Sequence, residues 1–245
     1  MADFSNFWND KVVAISGCNR PNGIGFSLAK DIVSKGGKIV GIVRCSSNEL
    51  NNIAFCVIDE IDNTSDDCGD KVVSKLNEKG ITKIDVLIAN SGLLEYKNQK
   101  IVSKEQGDRL DIDRMRSMFE INTLGPLKLS EALFRSDHLQ SGSSVFFMSS
   151  LMGSIGDASG GVVGYRMSKA ALNMVAKVLS NDFKSKGISV QSLHPGYVNT
   201  DMTSKFPGGQ DASTSAACLI DVMQKITMDT TGKFLSYEGG KEEPW

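Results

Sequence analysis

Val12-Val13-Ala14-Ile15-Ser16-Gly17-Cys18-Asn19-Arg20-Pro21-Asn22-Gly23-Ile24-Gly25 runs directly into Phe26-Ser27-Leu28-Ala29-Lys30-Asp31-Ile32-Val33. A β-branched apolar run, a glycine-rich turn and a helix-period stretch, in that order, read as a strand, a loop and the start of a helix. Such a unit aims main-chain N–H groups and the positive end of a helix at one point, which suits a diphosphate. Glycine keeps side chains out of that close approach. Gly17, Asn19, Arg20, Gly23 and Ile24 are therefore candidate binding residues. The spacing is not Gly-x-Gly-x-x-Gly, and glycines also end strands and open helices for structural reasons alone.

Working outward, short apolar runs recur at Lys38 to Val43, Ala54 to Ile58, Asp85 to Ile88, Val145 to Met148, Ile188 to Leu193 and Phe234 to Tyr237, with helix-like stretches between most of them. Val86-Leu87-Ile88 and Val145-Phe146-Phe147-Met148 show no polar alternation, as expected of strands covered on both faces. That makes the sheet mainly parallel. The alternation continues from end to end with no linker, repeat or composition break, so residues 1–245 are expected to form one doubly wound α/β domain. The acids Asp59, Glu60, Asp62, Asp66, Asp67 and Asp70 read as a solvated helix start, with Thr64 or Ser65 as the cap and Asp66 and Asp67 in the first turn.

The 245 residues carry 27 Lys+Arg against 29 Asp+Glu, a formal charge of −2, which gives no global basic footprint for nucleic acid. Hydrophobic residues at 40% and charged residues at 23% argue against disorder. Cys18, Cys45, Cys56, Cys68 and Cys218 are odd in number and contain no Cys-x-x-Cys pair, against a disulfide framework or a zinc ribbon. His138 and His194 are the only histidines, so no metal site is expected. Met1 to Lys11 is polar and acidic where a signal peptide would be basic and then apolar, and no run is long enough to span a membrane. The expectation is a soluble, cytoplasmic chain.

The second strand ends at Val43-Arg44, without the acid that would bind a ribose diol. Arg44, helped by Arg20, would instead offer guanidinium forks to a 2′-phosphate, which favours NADP(H) over NAD(H). Both could also be ordinary surface arginines. Tyr165 and Lys169, four positions apart in the helical stretch Val162 to Lys186, lie about one turn apart on one face. A phenol with a pKa near ~10 is a poor acid–base group at neutral pH, and a neighbouring ammonium is expected to lower it. Such a pair also arises by chance, with the tyrosine simply packed at a rim. Ser149 and Ser150 end the strand Val145 to Met148, where open α/β sheets bind ligands, and either hydroxyl could donate to a substrate oxygen or merely cap the strand.

These segments together resemble the short-chain dehydrogenase/reductase family over nearly the whole chain. The matching stretches are Ser16 to Gly25, Ala89-Asn90-Ser91-Gly92, Phe119 to Pro126, Met148-Ser149-Ser150, Tyr165 to Lys169 and His194 to Met202, in the family's order. Gly232 to Gly239, Pro244-Trp245 and Gly17-Cys18-Asn19-Arg20 look most like the branch containing C-factor and Sniffer-type carbonyl reductases. The resemblance implies a single Rossmann-type, mainly parallel seven-stranded sheet flanked by helices. It implies Asn122, in a helix, as holder of a relay water, Ser150 rather than Ser149 as orienter of the substrate oxygen, Tyr165 as proton donor and Lys169 as its activator. Asp62, ahead of Asp59, would lie near the adenine, and Asn90 and Gly92 near the adenosine ribose. Lys169 could also hold the cofactor ribose, Val198 and Thr200 would lie near the nicotinamide carboxamide, and Pro195 and Gly196 would touch the cofactor. Family members commonly form homodimers or homotetramers through helices equivalent to Asp111 to Arg135 and Val162 to Lys186.

The loop between Gly17 and Gly23 is longer than the family usually has and is reminiscent of divergent enoyl reductases, which place their tyrosine and lysine further apart. Ala89 and Ser91 depart from the common Asn-Asn-Ala-Gly, which would loosen the support under the central strand. The short segment Asp201 to Asp211, with Pro207-Gly208-Gly209, is expected to leave an open, hinged site for bulky carbonyls. The function implied is reduction of aldehydes or ketones, or oxidation of the corresponding alcohols. The alternatives are a cofactor-binding regulatory protein of C-factor type and an enoyl reductase.

Overall fold

A computed structural model describes residues 6–97, 109–204, 206 and 208–245. The first five residues of the polar stretch Met1 to Lys11, and Pro207 of the expected hinge, lie outside the described residues. The sheet strands are β1 (Val12–Ser16), β2 (Lys38–Ile42), β3 (Cys56–Ile58), β4 (Val86–Ala89), β5 (Ser144–Met148) and β6 (Ser189–His194). A two-residue pair, β7 (Val198–Asn199) with β8 (Gln210–Asp211), stands apart, and β9 (Phe234–Ser236) completes the main sheet. The order is β3-β2-β1-β4-β5-β6-β9, and every neighbouring pair is parallel. The seven strands are the seven apolar runs, each within a residue or two of its expected bounds.

The helices are α1 (Ile24–Ser34), α2 (Asn48–Ile53), α3 (Cys68–Glu78), α4 (Ile112–Phe119), α5 (Gly125–Arg135), α6 (Val163–Asp182) and α7 (Ala212–Met223). Strand residues alternate between two cores, because successive side chains point to opposite faces. Val13, Ile15 and Ile39 pack with Leu28 and Ile32 of α1 and Leu219 of α7. Ala14, Val40, Leu87 and Phe147 pack with Val72 of α3, Leu133 of α5 and Leu172 of α6. The sheet is thus covered on both sides, which is why its strands carry no polar alternation. None of the helices described is long and apolar enough to cross a membrane.

One local expectation is corrected. α3 begins at Cys68, not at Asp66, and neither Thr64 nor Ser65 caps it. The Asp62 carboxylate accepts from both the N–H and the hydroxyl of Thr64, at 2.9 Å each, and the Ser65 hydroxyl donates to Asp67. These side-chain bonds build a turn that competes with the helix and delays its start. Between α4 and α5 the helix does not stop. It widens into a π turn, Glu120–Leu124, that carries Asn122, a feature that inserts an extra residue and recurs at functional sites.

Candidate active site

Strand order reverses between β1 and β4, and a cavity of about 510 Å³ opens at the carboxyl ends of these strands. Its floor begins with the glycine loop. Arg20 to Gly23 forms a turn, with the Gly23 N–H donating to the Arg20 carbonyl at 2.8 Å. The added residues are absorbed there, while Cys18 is buried beneath the loop and burial pushes its thiol up to about 12. At Gly25 a side chain would collide with the loop: a Cβ would lie 2.5 Å from Asn90 Nδ2 and 2.7 Å from the Gly17 carbonyl. The loop therefore rests directly on the helix.

Asn90 holds this junction. Its amide donates to the carbonyls of Ser16 (3.1 Å) and Gly17 (3.0 Å), and the Ser16 hydroxyl accepts from the N–H groups of Asn90 and Ser91. Ala89 and Ser91 do not loosen the central strand, because Ser16 and Asn90 tie β4 to β1.

The residues expected to touch a dinucleotide line this one cavity: Gly17, Asn19, Arg20, Gly23, Ile24, Arg44, Asp62, Asn90, Gly92, Tyr165, Lys169, Pro195, Gly196, Val198 and Thr200. Neither a side-chain cap nor a first-turn acid occupies the N-terminus of α1, so its orphan N–H groups are left for an anionic ligand. At Gly92 a Cβ would come into ordinary contact with Asn122 Oδ1 (3.6 Å), Met202 Cε (3.7 Å) and Lys169 Nζ (3.8 Å). These features fit a nicotinamide dinucleotide. Arg44 is exposed at the end of β2. Arg20 instead reaches across the cleft to Asp201 at 3.4 Å. Asp62 has its pKa lowered, chiefly by the Thr64 N–H and hydroxyl and further by Arg44.

Serine, tyrosine and lysine meet at the inner end. Ser150 caps the one-turn 3-10 helix Leu151–Gly153 by accepting from the Met152 N–H at 3.2 Å, and its hydroxyl lies close enough to the Tyr165 phenol to pull that group's pKa down. Ser149 points the other way, donating to the Lys169 carbonyl at 3.4 Å. Lys169 Nζ donates to the Met148 carbonyl at 2.7 Å and lies 5.8 Å from the centroid of the Tyr165 ring. Arg166 ties the intervening loop to α6, through Gly161 (3.2 Å), Met152 (3.3 Å) and Ser159 (2.6 Å). The helix opens from Val162 at φ 41°, a left-handed conformation that costs a β-branched residue energy and sits one turn before the tyrosine.

The electrostatics run opposite to the expectation for the pair. Burial raises the Tyr165 phenol to about 12, against the opposing pull of the Ser150 bond, and burial lowers Lys169 to about 7. Both groups are nearly sealed from water, and desolvation penalises whichever form is charged. The phenol therefore holds its proton firmly at neutral pH, which is the state of a proton donor.

Asn122 does not line the cavity. It is fully buried, and its amide is committed to the Leu93 N–H (2.7 Å), the Leu93 carbonyl (2.8 Å) and the Ser168 hydroxyl (2.9 Å). Leu94, Tyr96, Met152, Tyr197 and Met202 form a further wall of the cavity that sequence reasoning did not single out. The Tyr96 ring lies 4.8 Å from that of Phe206, and the Tyr197 hydroxyl donates to the Phe206 carbonyl. This clasp joins the segment after β4 to the segment after β7. Gly208 does have a positive φ of 105° with open space around it.

A family model described as short chain dehydrogenase matches residues 11–211. The 1-hydroxy-2-glutathionyl-2-methyl-3-butene dehydrogenase of Rhodococcus sp. (strain AD45) is 34% identical over 221 residues, covering 89% of this chain and 93% of that protein. The C-signal protein of Myxococcus xanthus is 35% identical over 167 residues, 66% of this chain and 93% of its own. Among solved structures, the carbonyl reductase Sniffer of D. melanogaster superposes with a TM-score of 0.80 at 26% identity, covering 97% of this chain and 100% of its own.

Proposed function

This chain belongs to the short-chain dehydrogenase family, and from that premise we propose that it is an NADP(H)-dependent reductase of aldehyde or ketone carbonyls, reversible toward the alcohol. The observation that carries the reading is the junction of Ser150, Tyr165 and Lys169 beside the glycine cradle, within one cavity. A bound dinucleotide supplies the hydride. Ser150 orients the carbonyl oxygen, and Tyr165, protonated up to about pH 12, gives that oxygen its proton. Lys169 then returns a proton toward the phenol and holds the cofactor ribose. Asn122 contributes to the relay through its main-chain carbonyl, since its amide is engaged elsewhere.

Arg44 supports the preference for NADP(H): it is an exposed guanidinium at the end of β2, at the position where a diol-binding acid would otherwise stand. Asp62 is assigned to the adenine, and Pro195, Gly196, Val198 and Thr200 to the nicotinamide. The reading takes residues 1–245 as one domain, working in the reducing cytoplasm on a small-molecule carbonyl. It places a homodimer contact at α4 and α6, whose outer faces expose Ile112, Phe119, Met167, Met174 and Val178.

The test is oxidation of NADPH with a panel of aldehydes, ketones and quinones, comparing wild type with Tyr165→Phe. Loss of turnover by about 100-fold or more with intact NADPH binding is expected of a lost general acid; equal rates would remove Tyr165 from its role. The likeness to C-signal favours a second reading, a sensor in which turnover is incidental. Under that reading no substrate is found and the biological effect survives Tyr165→Phe but not Arg44→Asp.

A further inference from the structure

His194 ends β6, and its ring is taken up by neither the cofactor assignment nor the acid–base pair. Its Nδ1 receives the Leu151 N–H at 3.2 Å and the Gly196 N–H at 3.4 Å. Both partners are main-chain amides, which can only donate, so Nδ1 must be the unprotonated nitrogen and the proton sits on Nε2. One lone pair thus gathers two turns. The first begins at Ser150, whose hydroxyl faces Tyr165, and the second is Pro195-Gly196 on the nicotinamide side. Tyr237 fixes the ring from the far side, edge to face with centroids 6.1 Å apart.

We propose that His194 is a positioning residue: as a neutral imidazole it locks the serine turn to the Pro195-Gly196 turn, and its protonation in acid releases both and switches the site off. An imidazolium would aim a third N–H at the two amides that now donate to Nδ1, turning two attractions into repulsions. The charged groups acting on the ring are Glu243, in the segment after β9, and Glu238, in the turn before it; both favour the charged form. Burial opposes them more strongly and holds the imidazole below its ordinary 6.5. The serine and Pro195-Gly196 turns present main-chain N–H groups, and β9 leads into the Tyr237 ring. The neutral, locked form therefore prevails at physiological pH.

This inference rests on the carbonyl-reductase reading for its kinetic arm only. His194→Asn places an amide oxygen near the Nδ1 position and cannot be protonated, whereas His194→Leu offers no acceptor. Wild type is expected to lose kcat below pH 6.5 in a limb that His194→Asn lacks when each profile is scaled to its own plateau, while the titration of Lys169 near 7 persists in both. His194→Leu should fall about tenfold below His194→Asn at neutral pH, the worth of one hydrogen bond. Two readouts need no turnover: nitrogen NMR of the two imidazoles, assigned with His194→Asn, and the pH dependence of NADPH dissociation followed by its fluorescence. A proton on Nδ1 at neutral pH, or an acid limb unchanged in His194→Asn, overturns the proposal. If no carbonyl is reduced but the Nε2–H tautomer is found and NADPH affinity falls with its protonation, the function fails and the positioning role stands.

Discussion

Lys169→Met is expected to make the protein more stable at neutral pH while abolishing turnover. The amine is buried against β5, and burial lowers its pKa from 10.5 to about 7. An unfolded chain therefore holds a proton there that the native state gives up, and at about 1.4 kcal/mol per pKa unit this costs the native state on the order of 4 kcal/mol at pH 7. Methionine keeps most of the aliphatic stem and carries no proton. It forfeits the 2.7 Å bond to the Met148 carbonyl and leaves that oxygen unpaired, a loss of about 2 kcal/mol. The net gain is about 2 kcal/mol. The sign of the pH dependence follows from the lowered native pKa: wild-type stability climbs as pH rises from 7 toward 10.5, and below 7 the penalty is constant. By pH 9 the penalty is about half as large, so the advantage of the variant should vanish. Urea unfolding of both proteins at pH 7 and pH 9 measures this. Parallel stability–pH curves would show that Lys169 pays no desolvation cost and would refute the reasoning.

Three further outcomes are expected. Ultraviolet difference titration of wild type against Tyr165→Phe should show no tyrosinate from this position until pH approaches 12, because burial raises the phenol; a tyrosinate signal at pH 8 would mean that charge from Lys169 outweighs desolvation. Arg44→Asp should weaken NADPH by roughly 10- to 100-fold and narrow or reverse the preference over NADH, as measured by coenzyme fluorescence, whereas an unchanged ratio would remove Arg44 from the 2′-phosphate. Asn90→Ala strips two donors from the Ser16 and Gly17 carbonyls and should cost about 1–3 kcal/mol in urea unfolding; a cost near zero would show that the strand ladder and the Ser16 bonds hold β4 to β1 without it.

The fold was legible because a doubly covered parallel strand has an unmistakable composition, and Val86-Leu87-Ile88 needs no tertiary information to be read. The glycine loop, Arg44 and the Tyr165–Lys169 spacing were legible for a similar reason: each depends on neighbours a few positions away. What escaped depends on competing side-chain bonds and on distant contacts. The start of α3 moved because Asp62 and Ser65 bond to nearby groups that a capping pattern does not weigh. The π turn at Asn122 has no signature of its own, and the Tyr96–Phe206 clasp joins residues 110 positions apart. The sign of the Tyr165 shift could not be read either, since proximity to an amine is visible in sequence and sealing from water is not.

The bridge between Arg20 and Asp201 crosses the cleft with both side chains more than half exposed. An ion pair so wet is worth at most about 1 kcal/mol, comparable to thermal energy. It parts and reforms far faster than an enzyme turns over, and added salt weakens it further. A dinucleotide arriving or leaving therefore meets no locked barrier on that side, so under the proposed function its residence time is set by contacts elsewhere in the groove.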